Sequence, residues 1–168
     1  MERLITTDDV RKVCLGKAKF DVARFEPFLE PAELDYMKPF LGTEFYAEIK
    51  TQYLADTIST DNQTLINLYL KKSCAWITLA KALPFLNIDI SNSGLQRNNS
   101  DFASASSKEE RADLVSSAIA NADAYLDEAK IYIETQQTDN NKYPLYSIAE
   151  NVDSSTKIIG GIILDTED

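Results

Sequence analysis

Residues Asp61–Leu83 read DNQTLINLYLKKSCAWITLAKAL, and the spacing of these side chains decides the fold. Leu65, Ile66, Tyr69, Leu70, Ile77, Ala80 and Leu83 recur at the three- and four-residue intervals of one helical face, and Asp61 offers its carboxylate as an amino-terminal cap. From Cys74 onward, Ala75, Trp76, Leu79 and Ala82 make the other faces apolar as well. A helix that is apolar nearly all round is covered on several sides, so this one is predicted to be the axis on which the remaining elements pack. Pro84 stops it. Beyond that proline, Asn87 to Leu95 alternates through Ile88 and Ile90 into Ser91-Asn92-Ser93-Gly94 and reads as a short extended segment or strand.

Upstream, the sequence predicts short helices joined by tight turns. Thr7 precedes Asp8 and Asp9, with Arg11 and Lys12 further on and Gly16 closing the segment, so acids meet the positive end of a one- or two-turn helix. Asp21 opens the next helix, whose apolar face carries Val22, Phe25, Phe28 and Leu29 and continues to Tyr36 and Met37. Pro27 and Pro31 cannot donate to the helical ladder, which predicts a kink, or a break with a restart near Pro31. After Lys38-Pro39-Phe40-Leu41-Gly42, Thr43 is expected to cap a helix from Glu44 to Tyr53 with Phe45, Tyr46, Ile49 and Tyr53 inward.

Downstream, residues 96–107 form the least core-like tract of the chain. Ser107-Lys108-Glu109-Glu110 then has the pattern of a capping box and starts a helix predicted to run to about Gln137. Val115, Ile119, Ala122, Leu126, Ala129 and Ile133 are spaced four, three, four, three, four along it, widened by Leu114, Ala118, Tyr125 and Tyr132. Such a helix is longer than a compact domain of this size needs, so part of it is expected to protrude or to lie against another subunit. The last segment holds Tyr143-Pro144-Leu145-Tyr146 and the β-prone run Lys157-Ile158-Ile159-Gly160-Gly161-Ile162-Ile163-Leu164. A strand without an evident partner in a helical chain predicts pairing with another chain, or with the Asn87–Leu95 segment.

The fold class is therefore mainly α: a helical bundle of about four to five helices around a buried central helix, with a short extended segment and an extended C-terminal tail. Residues 1–142 form the helical domain, and residues 143–168 a tail expected to contact neighbouring subunits. A chain of 168 residues, 44% hydrophobic and 26% charged, has the composition of one globular domain. No stretch approaches the ~20 apolar residues of a membrane span, and the start lacks the apolar run of a signal peptide, so a soluble protein made in a cytoplasm is expected. Cys14 and Cys74 read as two reduced thiols.

Acidic residues outnumber basic ones by 27 to 17, a balance that argues against a phosphate-binding exterior. The excess is lopsided. Residues 1–97 carry 13 acids and 12 bases, whereas residues 98–168 carry 14 and 5, so a basic partner would dock on the second half. With no histidine anywhere, imidazole catalysis and His-zinc sites are excluded. The 5 glycines form no phosphate loop, and the acid pairs Asp8/Asp9, Glu109/Glu110 and Asp127/Glu128 are sequence neighbours that diverge on a helix. No catalytic, cofactor-binding or metal residue is assigned, and the chain is not expected to be an enzyme.

The run Phe25-Glu26-Pro27-Phe28-Leu29-Glu30-Pro31-Ala32-Glu33-Leu34-Asp35-Tyr36-Met37-Lys38-Pro39-Phe40-Leu41-Gly42-Thr43-Glu44-Phe45-Tyr46, together with Ala82-Leu83-Pro84-Phe85-Leu86-Asn87 and Ser91-Asn92-Ser93-Gly94, resembles small helical proteins of tailed bacteriophages and prophages. These are similar to head-tail connector, adaptor or head-completion proteins. The likeness runs from about Asp21 to Asp127 and leaves out the C-terminal tail. It implies a homo-oligomeric ring, usually of about twelve copies, at the neck of the virion, between the portal protein and other neck or tail proteins, with DNA passing through without specific binding. No catalytic residue, cofactor or membrane contact comes with it. Residues expected to make subunit contacts are Phe102, Tyr143, Tyr146, Ile158, Ile159, Ile162 and Ile163. A reading of a different class is a small acidic decoy or regulator that captures a basic host protein on the exposed face of the Ser107–Gln137 helix.

Overall fold

A computed structural model describes residues 3–16, 21–86, 88–91, 94–97, 108–146, 158–159 and 162–163. The fold is mainly α, as the periodicity predicts. Its axis is one continuous helix made of α5 (Thr60–Leu65), a π-helical turn (Ile66–Leu70) and α6 (Lys71–Ala82), with right-handed helical dihedrals at both joints. Leu65, Ile66, Leu70, Cys74, Ala75, Ile77 and Ala82 are all buried along it. Ser59, not Asp61, caps this helix: its hydroxyl accepts the Asn62 N–H at 3.2 Å. Asp61 lies inside the first turn and reaches Lys142 at 2.6 Å instead. Both residues are of types that cap well, and the one with the extended backbone a residue before the helix takes the role.

Shorter helical elements from the first half of the chain surround this axis. α1 (Thr7–Val10) is closed by a capping box in which the Thr6 hydroxyl accepts from Asp9 N–H and the Asp9 carboxylate accepts from Thr6 N–H, one residue earlier than the sequence suggests. Asp21 caps a 3-10 turn, Val22–Phe25, as expected, and α2 (Glu26–Ala32) follows directly. The predicted proline break is absent. Pro27 occupies the first turn of α2, where no N–H is needed, and Pro31 lies inside it. The backbone continues helically into a π turn, Glu33–Met37, where Lys38 N–H donates to the Glu33 carbonyl. The turn after Pro31 is thus widened rather than interrupted. α3 (Lys38–Leu41) ends at Gly42, whose φ of 78° an L side chain adopts only at a cost. α4 (Thr43–Leu54) begins at once, with Thr43 as its first helical residue rather than its cap. Phe45, Tyr46 and Ile49 are buried, and Tyr53 is half-buried.

α7 (Lys108–Asn140) is the longest element, and it lies along the central helix. The pairing is antiparallel: Asp61 meets Lys142, Tyr69 stacks on Tyr132 at 5.5 Å, and Lys72 sits 5.2 Å over the Tyr125 ring. Ala118, Ala122, Ala129 and Ile133 are buried in this interface, three of them small enough to let the two backbones come close. Each fully buried Leu or Ile of the shared core contributes about 1.5–3 kcal/mol. Beyond the central helix, β1 (Ile88–Ser91) pairs antiparallel with β2 (Gly94–Arg97), Ile88 opposite Arg97. The extended segment after Pro84 is therefore one half of a hairpin.

Candidate assembly surfaces

Tyr143 and Tyr146 are buried, 6% and 3% exposed, against the body of their own chain. The Tyr143 ring lies 5.4 Å from Phe45 and 6.3 Å from Tyr132, and the Tyr146 ring 5.8 Å from Phe40. Gln137 completes the clasp by donating its amide to the carbonyls of Tyr143 and Tyr146, at 2.9 and 3.0 Å. Tyr143 is held in the left-handed region, with φ of 58°, and Asn141 at 51°. For a tyrosine that conformation costs about 1–2 kcal/mol, so the packing of its ring must outweigh it. In this conformation the two rings are packed within their own chain.

The remaining predicted contact residues divide. Ile158–Ile159 forms β3 and Ile162–Ile163 forms β4, and the two pair antiparallel with each other, Ile158 opposite Ile163 and Ile159 opposite Ile162. The tail strand thus pairs within itself and not with Ile88–Ser91, because Gly160-Gly161 supplies a two-residue connection of the kind a hairpin uses. Phe102 lies outside the described residues, as does Ser107 of the predicted cap, although α7 does begin at Lys108.

The ends of α7 differ. Ala118 is its first buried residue among those described, and every described side chain from Glu109 to Ser117 is exposed or half-buried. Leu114, 53% exposed, stands on this amino-terminal stretch, and Phe85, equally exposed on one side, stacks on Phe28 at 5.4 Å near the end of the central helix.

Inside the body one buried carboxylate is committed to structure. Glu33 is fully buried: Oε1 accepts the N–H groups of Leu4 and Ile5 at 2.7 and 3.1 Å, and Oε2 accepts the Tyr46 hydroxyl at 3.0 Å with the Lys50 ammonium 3.6 Å away. Burial and the Glu33 charge push the Tyr46 hydroxyl well above its ordinary range. Burial likewise raises the Cys14 thiol to about 12 and the Cys74 thiol well above its usual value, so both rest as neutral thiols rather than nucleophilic thiolates. Sequence reading missed Glu33. The signal was present, since it lies four residues from both Leu29 and Met37 and so shares their buried face. Gln137 has no comparable signal. Its role depends on a backbone turn that only the folded chain makes.

Among the described residues no three Cys, Asp or Glu side chains converge to hold a metal ion, and no helix is long and apolar enough to cross a membrane. One family model, described as a family of unknown function (DUF6712), matches residues 37–156. No curated protein and no solved structure matches the chain.

Proposed function

The chain belongs to the DUF6712 family of unknown function, and from its architecture we propose that it is a structural subunit of a tailed-bacteriophage neck. In this reading copies of it form a ring between the portal protein and the next neck or tail component. The observation that carries the reading is the amino-terminal stretch of α7: from Glu109 to Ser117 no described side chain is buried, and Leu114 is exposed. A stretch of helix that buries no side chain in its own body gains support from a neighbouring copy. The motifs from Phe25 to Tyr46 and from Ala82 to Asn87, similar to those of connector proteins, point the same way. Ring formation of about twelve copies, the portal as partner and a place in the virion all belong to this proposal.

The charge fits a conduit. A net charge of -10 gives a surface that repels DNA weakly across screened solvent and does not capture it. Sedimentation and electron microscopy of the purified chain with and without a portal oligomer test the reading. Closed rings that cap the portal are expected. A chain that stays monomeric at all concentrations, and ignores the portal, overturns it. The decoy reading has one observation in its favour: Glu109, Glu110, Asp113, Asp127 and Glu128 are all exposed on α7. Capture of a basic host protein by a monomer would replace the ring by that alternative.

A further inference from the structure

Past its π turn the central helix buries Ser73, Cys74, Ala75, Ile77, Thr78, Ala80 and Ala82, but it leaves one strip only half covered. Lys72, Trp76, Leu79 and Leu83 follow one another at four-, three- and four-residue steps, which places them on a single line along the helix, and all four are half-buried. α7 borders this line, with Tyr125 under Lys72 and Tyr132 against Tyr69. The line is thus the floor of a seam, apolar along most of its length and cationic at one end. Lys71 and Lys81 are engaged by Asp9 and Asp35, whereas Lys72 makes no ion pair among the described residues.

The chain also carries a segment that suits this seam. The β3–β4 ladder is two residues long on each side, far below what a free hairpin needs to persist in water. Its isoleucines need an apolar surface. Asp165, Glu167 and Asp168 follow Leu164 directly, so the apolar run ends in acids as the seam ends in Lys72. Eleven residues separate Tyr146, seated on Phe40, from Ile158, and such a stretch spans up to about 36–40 Å. A reach of that length allows contact with a second copy.

We infer that the seam along Lys72, Trp76, Leu79 and Leu83 is a docking site for residues 157–168 of a second copy of this chain. The isoleucines cover Trp76 and the two leucines, and the terminal acids face Lys72. The inference rests on the assembly reading above and deepens it by naming which surfaces of neighbouring copies meet.

Trp76 is the sole tryptophan, so its emission reports directly on whether the seam is covered. Two full-length variants separate donor from acceptor: Ile159→Asp with Ile162→Asp keeps Trp76 but spoils the tail, and Trp76→Phe keeps the tail but is dark. Mixing the two should shift the tryptophan emission several nanometres to the blue, saturably with the dark chain. Adding Lys72→Glu to the acceptor should weaken the apparent affinity several-fold. No shift on mixing, with both variants helical by circular dichroism, overturns the inference. If the dark chain does not fold, dilution of the wild-type chain decides. A red shift that tracks dissociation supports the inference, and an emission that stays blue in the monomer means the chain covers its own seam and overturns it. Rings that still form on a portal without any tail-dependent shift remove the seam and leave the proposed function standing. A tail-dependent shift in a chain that ignores the portal does the reverse.

Discussion

The two ends of α7 belong to one unbroken helix and are held by different physics. From Ala118 onward small and branched residues face the central helix, Tyr132 stacks on Tyr69, and the chain beyond Asn140 folds back so that Tyr143 and Tyr146 wedge against Phe40 and Phe45. From Glu109 to Ser117 no described side chain is buried, and acids lie near the positive end of the dipole. The lesson is that an apolar spacing continuing from Leu114 to Ile133 is fully buried only from Ala118 onward.

The contrast should be measurable. Tyr146→Ala removes a ring from between Phe40 and Phe45 and is expected to cost about 3–5 kcal/mol in urea unfolding. A loss under about 1 kcal/mol would show the clasp to be superficial. For the same reason a chain ending after Tyr146 should keep the full stability of the body, whereas one ending at Lys142 should not. Next in size, Ile133→Ala should cost about 2–5 kcal/mol, while Leu114→Ala in the isolated chain should change stability by no more than about 0.5 kcal/mol. Amide exchange should follow suit, with residues 109–117 exchanging far sooner than residues 122–137. Equal protection along α7 at low concentration would mean that residues 109–117 are supported within one chain.

Smaller effects sharpen the comparison. Replacing Tyr143 by Phe deletes a buried hydroxyl that has no well-formed hydrogen bond among the described residues, so stability should hold or rise slightly, within about 1 kcal/mol. Alkaline pH supplies another. Cys14 ionises near 9 in the unfolded chain but only at about 12 when folded, so its contribution is intact below pH 9 and is lost as the pH rises from there toward 12. The Cys14→Ala variant should therefore show a shallower fall in thermal midpoint across that window than the parent. Identical slopes would mean that the thiol is not held in its buried site.

Much of this architecture is legible in the amino-acid order. The central helix, the inward set Phe45, Tyr46 and Ile49, and the reach of α7 follow from three- and four-residue periodicity, which records burial directly. Cap positions slipped by a residue or two at Thr6, Gly42 and Ser59, because several neighbours could each supply the group and the backbone chooses among them. Pro31 misled for a related reason: a ring inside a helix can be followed by a widened turn as well as by a break, and spacing does not distinguish them. Tyr143 was assigned to the tail because no periodicity links it to Phe45, nearly a hundred positions earlier. Of the residues expected to meet a neighbour, the two tyrosines are packed within their own chain.

Glu33 works as a knot. One of its carboxylate oxygens receives the N–H groups of Leu4 and Ile5 and the other the hydroxyl of Tyr46, so segments some thirty positions apart hang on one buried charge. An alteration in α4 that displaces Tyr46 is therefore felt at Leu4 and Ile5, which it does not touch.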